Sequence, residues 1–576
     1  MGLPGLLGSL APLLAALPCG EDLPPDLDAR CTFELVRSPE TFVRVRIEAR
    51  GAKEGTTSFS ISERWGGVEH FEKGIRALEV RDASGKALPA ERPAPHRWSV
   101  RHPPGAPLEV VYELAPTGER IGDERESRYR PAVLPDLFHL VGTTGLVVPD
   151  HLEGEDPRSI EIRWVGFSEA GWKVVSSFGA GPEPRRIRRP LPEFVYGLYV
   201  AGDLRVVPVP LRGGTLHVSI AGEDWGFSDD LYVDLVRRIV VAERDFFDDH
   251  GDPHFLVSLV PVGARNPRSR SLGGTGLTDS FALFLLPGTG IEEEPEMGRG
   301  LRWLLAHELF HNWNGQKMPR LQPEALVYWF SEGFTDFYAR RLLLRAGLIT
   351  LEEYAADLSE RVGAYLASPV RNEPNERILR DYWKDERVER LPYLRGEVVA
   401  LLLDGAIRKA SGGARSLDEF MRDLLARARG GAKVSTEGLL ALAESYAGKE
   451  CAERVRRIVV EGGSPEIPAD LLAPCLEGET VERAAYEPGF DIQASLAAKV
   501  VSGVIAESAA FREGLRDGQP LKRWSVHRGR VDRPIELTIE EEGKERRLSF
   551  FPEGKPVRVP RFRVRAGAGE ECRARL

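Results

Sequence analysis

The stretch LLAHELFHNWNG, residues 304–315, carries two histidines four positions apart with a glutamate directly after the first. On a helix, residues i and i+4 project from one face a turn apart, so His307 and His311 can close on a single ion. Zinc accepts imidazole nitrogens at about 2.0–2.1 Å. Glu308, on the same turn, can take a proton from the water that such an ion activates. An ordinary amphipathic helix can carry the same spacing. The stretch therefore decides the fold only if the chain supplies the rest of a catalytic set.

A catalytic zinc of this kind wants three protein ligands and one open position. The segment VYWFSEGFTDFYARRLLL (327–344) offers Glu332, separated from His311 by 20 residues. That gap accommodates a helix end, the turn KMPRLQP and the first turns of a returning antiparallel helix. Trp329, Phe330, Phe334 and Phe337 surround Glu332 in sequence, and a free carboxylate among them would be costly to bury. Ligation removes that cost. Asp336, one turn on, either orients a ligand imidazole or is a plain surface acid. Attack on a peptide carbonyl also develops an oxyanion that needs a donor. In LPYLRGEVVALLLD (391–404), Tyr393 stands just before a strongly apolar helix and can supply that donor.

The remainder of the chain is compatible with this reading. With 576 residues, 42% hydrophobic and 29% charged, it is a multidomain globular protein. A net charge of -10 without a basic patch speaks against a nucleic-acid partner. No internal apolar run reaches the ~20 residues needed to span a bilayer, so no transmembrane helix is expected in the mature chain. The start, MGLPGLLGSLAPLLAALPCG (1–20), is apolar through Leu17 and then turns polar. It reads as an export signal with Cys19 as a lipidation site, or else as a disordered start. The protein is then periplasmic, secreted or lipid-anchored, with the cytoplasm as the alternative. The five cysteines show no metal-binding spacing. Cys451 and Cys475 flank a short segment and are either bridged or free.

The chain changes grammar several times. Residues 25–212 alternate apolar and polar positions between Gly and Pro breaks, as in FVRVRIEAR (42–50) and SIEIRWVGF (159–167), which reads as a β-sandwich. Its histidines, His70, His96, His102, His139 and His151, are scattered and form no chemical cluster. Residues 213–347 mix strands with long helices and hold His307, Glu308, His311 and Glu332. Residues 348–480 are mostly helical, and 485–576 return to strands. The fold class is multidomain α+β.

HELFHNWNG, WFSEGFTDFY and PYLRG together resemble the signatures of the gluzincin zinc metallopeptidases. The run RGEVVALLLDGAIRKASGGARSLDEFMRDLL is similar to a later helix of the glycyl-aminopeptidase family (metallopeptidase family sixty-one), whose zinc helix also runs on as Trp-Asn. The resemblance implies a β-rich N-terminal domain, a thermolysin-like zincin catalytic domain, a helical domain and a small C-terminal PDZ domain. It implies one Zn2+ per chain held by His307, His311 and Glu332, with Glu308 as general base, Tyr393 as oxyanion donor, and a peptide or protein as substrate. Residues 499–552 resemble the PDZ pattern, with Gln519 where that pattern has Asp. Such a groove binds a peptide C-terminus or an extended segment as an added strand.

Two departures matter. Aminopeptidases of this clan hold the substrate amine with a glutamate on an edge strand, and in LGGTGLTDSFALF (272–284) Gly276 occupies that place. Asp279 could replace it only through a bulge, because an odd offset along a strand points to the other face. The His311–Glu332 spacer is also shorter than the glycyl-aminopeptidase family leads one to expect, and nearer to that of the aminopeptidase N family. Aminopeptidase and endopeptidase action both stay open. So do hydrolysis of a non-peptide amide or epoxide, and a catalytically idle gluzincin-fold binding protein presenting its PDZ-like module.

Overall fold

The computed structural model describes residues 23–265, 271–291 and 295–576. The segment read as an export signal, residues 1–20 with Cys19, lies outside the described residues. The chain divides into two compact units, Met1–Arg237 with His250–Leu301, and Arg238–Asp249 with Arg302–Leu576.

The first unit opens with alternation at work. In Phe42–Arg50 every second side chain is buried, because successive residues of a strand face opposite sides. This strand lies centrally in a seven-stranded sheet, between Ala29–Val36 and Pro107–Leu114 and antiparallel to both. A five-stranded sheet around Leu198–Gly202 and a four-stranded sheet around Thr56–Ser60 share its apolar core, which holds Phe33, Val45, Tyr112, Phe138, Trp98 and Tyr199.

The same unit carries a mixed five-stranded sheet in the order Leu204–Leu211, Gly214–Ala221, His254–Pro261, Ser280–Leu285 and Leu272–Leu277. Gly214–Ala221 pairs parallel with His254–Pro261, and the helix Asp229–Phe247 makes the crossover between them. A parallel pair needs such a long connection. Leu272–Leu277 is the edge strand and forms a hairpin with Ser280–Leu285 in regular register, Gly276 opposite Phe281 and Leu277 opposite Ser280. Thr278 and Asp279 make the two-residue turn. Asp279 has φ of 45°, the left-handed conformation that Asp tolerates in tight hairpins. Its carboxylate accepts a hydrogen bond from Arg189 Nη2 at 2.8 Å.

The second unit is helical in its first half. The helix Gly333–Arg345 crosses Glu386–Ala410 where Gly333 meets Gly396. A Cβ on Gly396 would overlap the Trp329 carbonyl, and one on Gly333 would overlap Gly396 itself. Only two glycines allow backbones this close. Below the crossing, the fully buried Arg341 donates to Asp404 Oδ2 at 2.8 Å and to Asp418 Oδ1 at 3.2 Å. Capping boxes at Thr350 and Ser416 start the helices Leu351–Ala367 and Leu417–Arg429.

The second half is β-rich. Leu476–Tyr486 pairs antiparallel with Glu553–Val564 in a long ribbon. Leu351–Ala367 packs on that ribbon, Ser359 Oγ accepting from Phe562 N at 2.8 Å. A three-stranded sheet, Leu521–Ser525, Ile535–Glu541 and Lys544–Phe550, has its own core of Phe490, Val501, Leu515, Leu537 and Leu548. A disulfide joins Cys475 to Cys572, 97 residues apart in sequence. Cys475 therefore pairs with Cys572 rather than with Cys451, and Cys31 and Cys451 are free thiols. Among the described residues, no helix is long and apolar enough to cross a membrane.

Candidate metal centre and active site

The helix Pro295–Phe310 ends one residue before His311. The chain then leaves helical geometry at Asn314 and Gly315. Asn314 is buried, and its side chain donates to the carbonyls of Phe330 and Ser331 at 3.3 Å each and to Thr335 Oγ1 at 3.1 Å. This amide ties the end of the histidine helix to the segment that bears Glu332. Trp313 is pinned from the other side, its Nε1 donating to Asp249 Oδ2 at 2.7 Å while its ring stacks on Phe247.

His307, His311 and Glu332 converge, each offering one donor atom, all within 4.8 Å of one another. His307 Nε2 lies 3.1 Å from His311 Nε2 and 3.6 Å from Glu332 Oε2, and His311 Nε2 lies 3.4 Å from the same oxygen. A tetrahedral ion about 2.05 Å from each donor needs edges of about 3.3 Å. The triangle matches that size, and two imidazoles with one carboxylate suit zinc.

Each imidazole is oriented from behind. His307 Nδ1 lies 2.9 Å from Asp336 Oδ1, and His311 Nδ1 lies 3.0 Å from the Asn314 carbonyl. With Nδ1 protonated toward these acceptors, both Nε2 lone pairs face the cluster. Asp336 is fully buried. It also accepts from Trp303 Nε1 at 3.0 Å and from Arg361 Nη2 at 2.6 Å, while Arg340 and Arg361 meet again on Glu397. Asp336 is thus an imidazole partner and not a surface acid.

The electrostatics favour a cation. Burial alone would raise the Glu332 carboxyl, yet the two imidazoles outweigh it and hold Glu332 well below the usual carboxylate range. Burial likewise opposes a charge on His307, but Asp336 and Glu332, helped by Glu308, push it up to about 10. The same carboxylates that favour a charge on His307 favour a divalent cation at this place. Asp336 stays ionised against its burial because Arg361 and Arg340 face it. Glu243, fully buried and with neither carboxylate oxygen hydrogen-bonded, is pushed well up by burial, against the pull of His307.

Tyr393 is inside the helix Glu386–Ala410, not ahead of it; the helix starts at the Asp385 cap and runs through Pro392. Its ring stacks on His307 with centroids 6.0 Å apart, and its hydroxyl lies 3.3 Å from that of Tyr382. Burial and the Glu332 charge raise its pKa well above the ordinary tyrosine value, so it remains a protonated donor. Arg395, the basic residue of the same motif, is buried and structural, donating to the carbonyls of Arg371, Glu373 and Val459. Glu308 is partly buried on the turn between the two histidines. Sequence reasoning missed Tyr382, Arg340 and Arg361, which stand in no motif.

The His-His-Glu donor set is the one a zinc metallopeptidase of the gluzincin type uses. Residues 300–378, which contain both histidines and Glu332, match the family described as M61 glycyl aminopeptidase. No curated protein shows a significant sequence match. Among solved structures, an aminopeptidase N family protein from Idiomarina loihiensis is similar with a TM-score of 0.71 and 15% identity, covering 95% of this chain and 100% of that one. The likeness is one of fold. An M1 zinc metallopeptidase from Deinococcus radiodurans has a TM-score of 0.48 and 20% identity, over 77% of this chain and 94% of that one. A mutant M1 zinc metallopeptidase from the same organism, bound to a Tyr-Ser-Ala substrate, has a TM-score of 0.46 and 20% identity over the same shares.

Proposed function

We propose that the chain hydrolyses peptide bonds with one zinc ion held by His307, His311 and Glu332. The observation that carries this is the donor triangle with its built outer partners, Asp336 behind one imidazole and the Asn314 carbonyl behind the other. The ion, when bound, supplies a Lewis acid that acidifies water and polarises a carbonyl. Glu308 acts as general base, removing the proton of the attacking water and passing it to the leaving amine. Tyr393, held protonated, donates to the oxygen that becomes an oxyanion. Asp336 keeps His307 in the tautomer that presents Nε2.

The glycine at position 276 belongs to the same reading. Gly276 has no side chain to hold an ammonium. Asp279 is committed to the hairpin turn and to Arg189, and the register from Gly276 to Leu277 runs without the bulge that would re-aim it. This supports cleavage that does not require a free N-terminus. The buried Cys475–Cys572 bridge supports an oxidising compartment and hence export. The separate core of the C-terminal sheet supports reading it as a PDZ-like module. A mixed peptide library with free and acetylated N-termini, read by mass spectrometry with and without a zinc chelator, tests the function. Chelator-sensitive cleavage is expected; a library left intact by the zinc-loaded protein contradicts it.

A further inference from the structure

We propose that Tyr382 is a positioning residue that aims the Tyr393 hydroxyl. The inference rests on the reading of Tyr393 as oxyanion donor given above.

The two hydroxyls are 3.3 Å apart, and only one hydrogen can lie between them. If Tyr393 supplied it, its proton would point away from a substrate. With Tyr382 donating, the Tyr393 oxygen accepts, and its own hydrogen is free to turn toward the ligand triangle, where the Glu332 charge attracts it. A hydroxyl that accepts a hydrogen bond also becomes a better donor. Tyr382 is thus the group that makes the orientation of Tyr393 definite.

The packing around Tyr382 fits this task. Its ring sits 4.9 Å from that of Tyr328 and 4.8 Å from that of Trp383, and only 8% of the residue is exposed. Tyr328 is one helical turn before Glu332, whose N–H donates to the Tyr328 carbonyl at 2.8 Å. The hydroxyl partner of Tyr393 is therefore indexed to the segment that supplies Glu332, while the Tyr393 ring is indexed to His307 by stacking. Any shift of donor against ligands has to move both contacts.

The test is a double-mutant cycle on the best-cleaved member of the peptide library, with melting temperature and zinc content followed in parallel. Tyr382→Phe keeps the ring and removes the donor. Its kcat should fall about fivefold to tenfold, the scale of one neutral hydrogen bond, with KM within about twofold and zinc content unchanged. In a Tyr393→Phe background the same change should cost less than about twofold in kcat, because the group it aims is gone. Replacing Tyr382 by p-aminophenylalanine, which keeps a donor on the ring, should restore kcat to within about threefold of the parent. Full activity in Tyr382→Phe beside a crippled Tyr393→Phe overturns this proposal alone. So does a Tyr382→Phe loss that persists undiminished in the Tyr393→Phe background. Full activity in Tyr393→Phe overturns the donor reading and this inference with it.

Discussion

Gly333 and Gly396 stand so close that a methyl on Gly333 would overlap the Gly396 backbone, and one on Gly396 would overlap the Trp329 carbonyl and press on Gly333 Cα. Gly333 follows Glu332, and Gly396 lies three residues beyond Tyr393. The contact therefore sets the distance between a metal donor and the hydroxyl proposed to serve the substrate. Gly396→Ala should destabilise the protein by about 1–3 kcal/mol, the usual cost of overpacking, in denaturant unfolding. It should also lower kcat in whatever fraction stays folded. An alanine variant with parental stability would mean that the crossing relaxes freely.

Asp336 serves one imidazole and two arginines at once. Asp336→Asn should weaken zinc binding about 10–100-fold, the range for loss of a partner behind a metal-bound imidazole, as measured by competition against a chelator of known affinity. Unchanged affinity would reduce Asp336 to a counter-ion for Arg340 and Arg361.

A pH effect follows from Arg341. Burial resists the Asp404 charge, but Arg341, then Arg408, depress its pKa. A depressed folded-state pKa gives stability that is present above the unfolded value of about 3.9 and is lost as pH falls through the folded one. Asp404→Asn should therefore cost about 3–5 kcal/mol at pH 7, the scale of breaking a buried pair. The gap between variant and parent should narrow below about pH 4. A pH-independent gap would show that packing, not charge, is what the aspartate supplies.

Gly276, with no side chain to hold an ammonium, gives a further kinetic expectation. N-acetylated peptides should be cleaved with kcat/KM within about tenfold of their free-amine counterparts, a difference of ~1.4 kcal/mol. Strict dependence on a free amine would show that another acid takes the ammonium.

Much of the site was legible because metal chelation imposes spacing on sequence. His307 and His311 had to be i and i+4, and Glu332 had to sit where a returning helix brings it back; the donor triangle has that form. Asp336 was legible only as one of two options, since position on a helix face does not say whether an imidazole or water stands opposite. The strongly apolar run after Tyr393 suggests a helix that begins beyond it, whereas the helix starts at the Asp385 cap and runs through Pro392 and Tyr393. Tyr382, Arg340 and Arg361 were invisible, as their roles come from tertiary contacts that no local pattern encodes. The Cys475–Cys572 pairing was invisible for the same reason, its closure spanning 97 residues. Alternation announced the N-terminal strands, as in Phe42–Arg50, but it carries no information on how they are ordered into sheets of seven, five and four strands.

The most direct test of the central claim is metal content and turnover in Glu308→Gln. The amide preserves size but cannot accept a proton from the attacking water, and Glu308 stands outside the donor triangle. The account predicts about one zinc per chain, as in the parent, with kcat on the library's best-cleaved peptide lowered by about 10²–10⁴-fold. Parental kcat with zinc in place would contradict it.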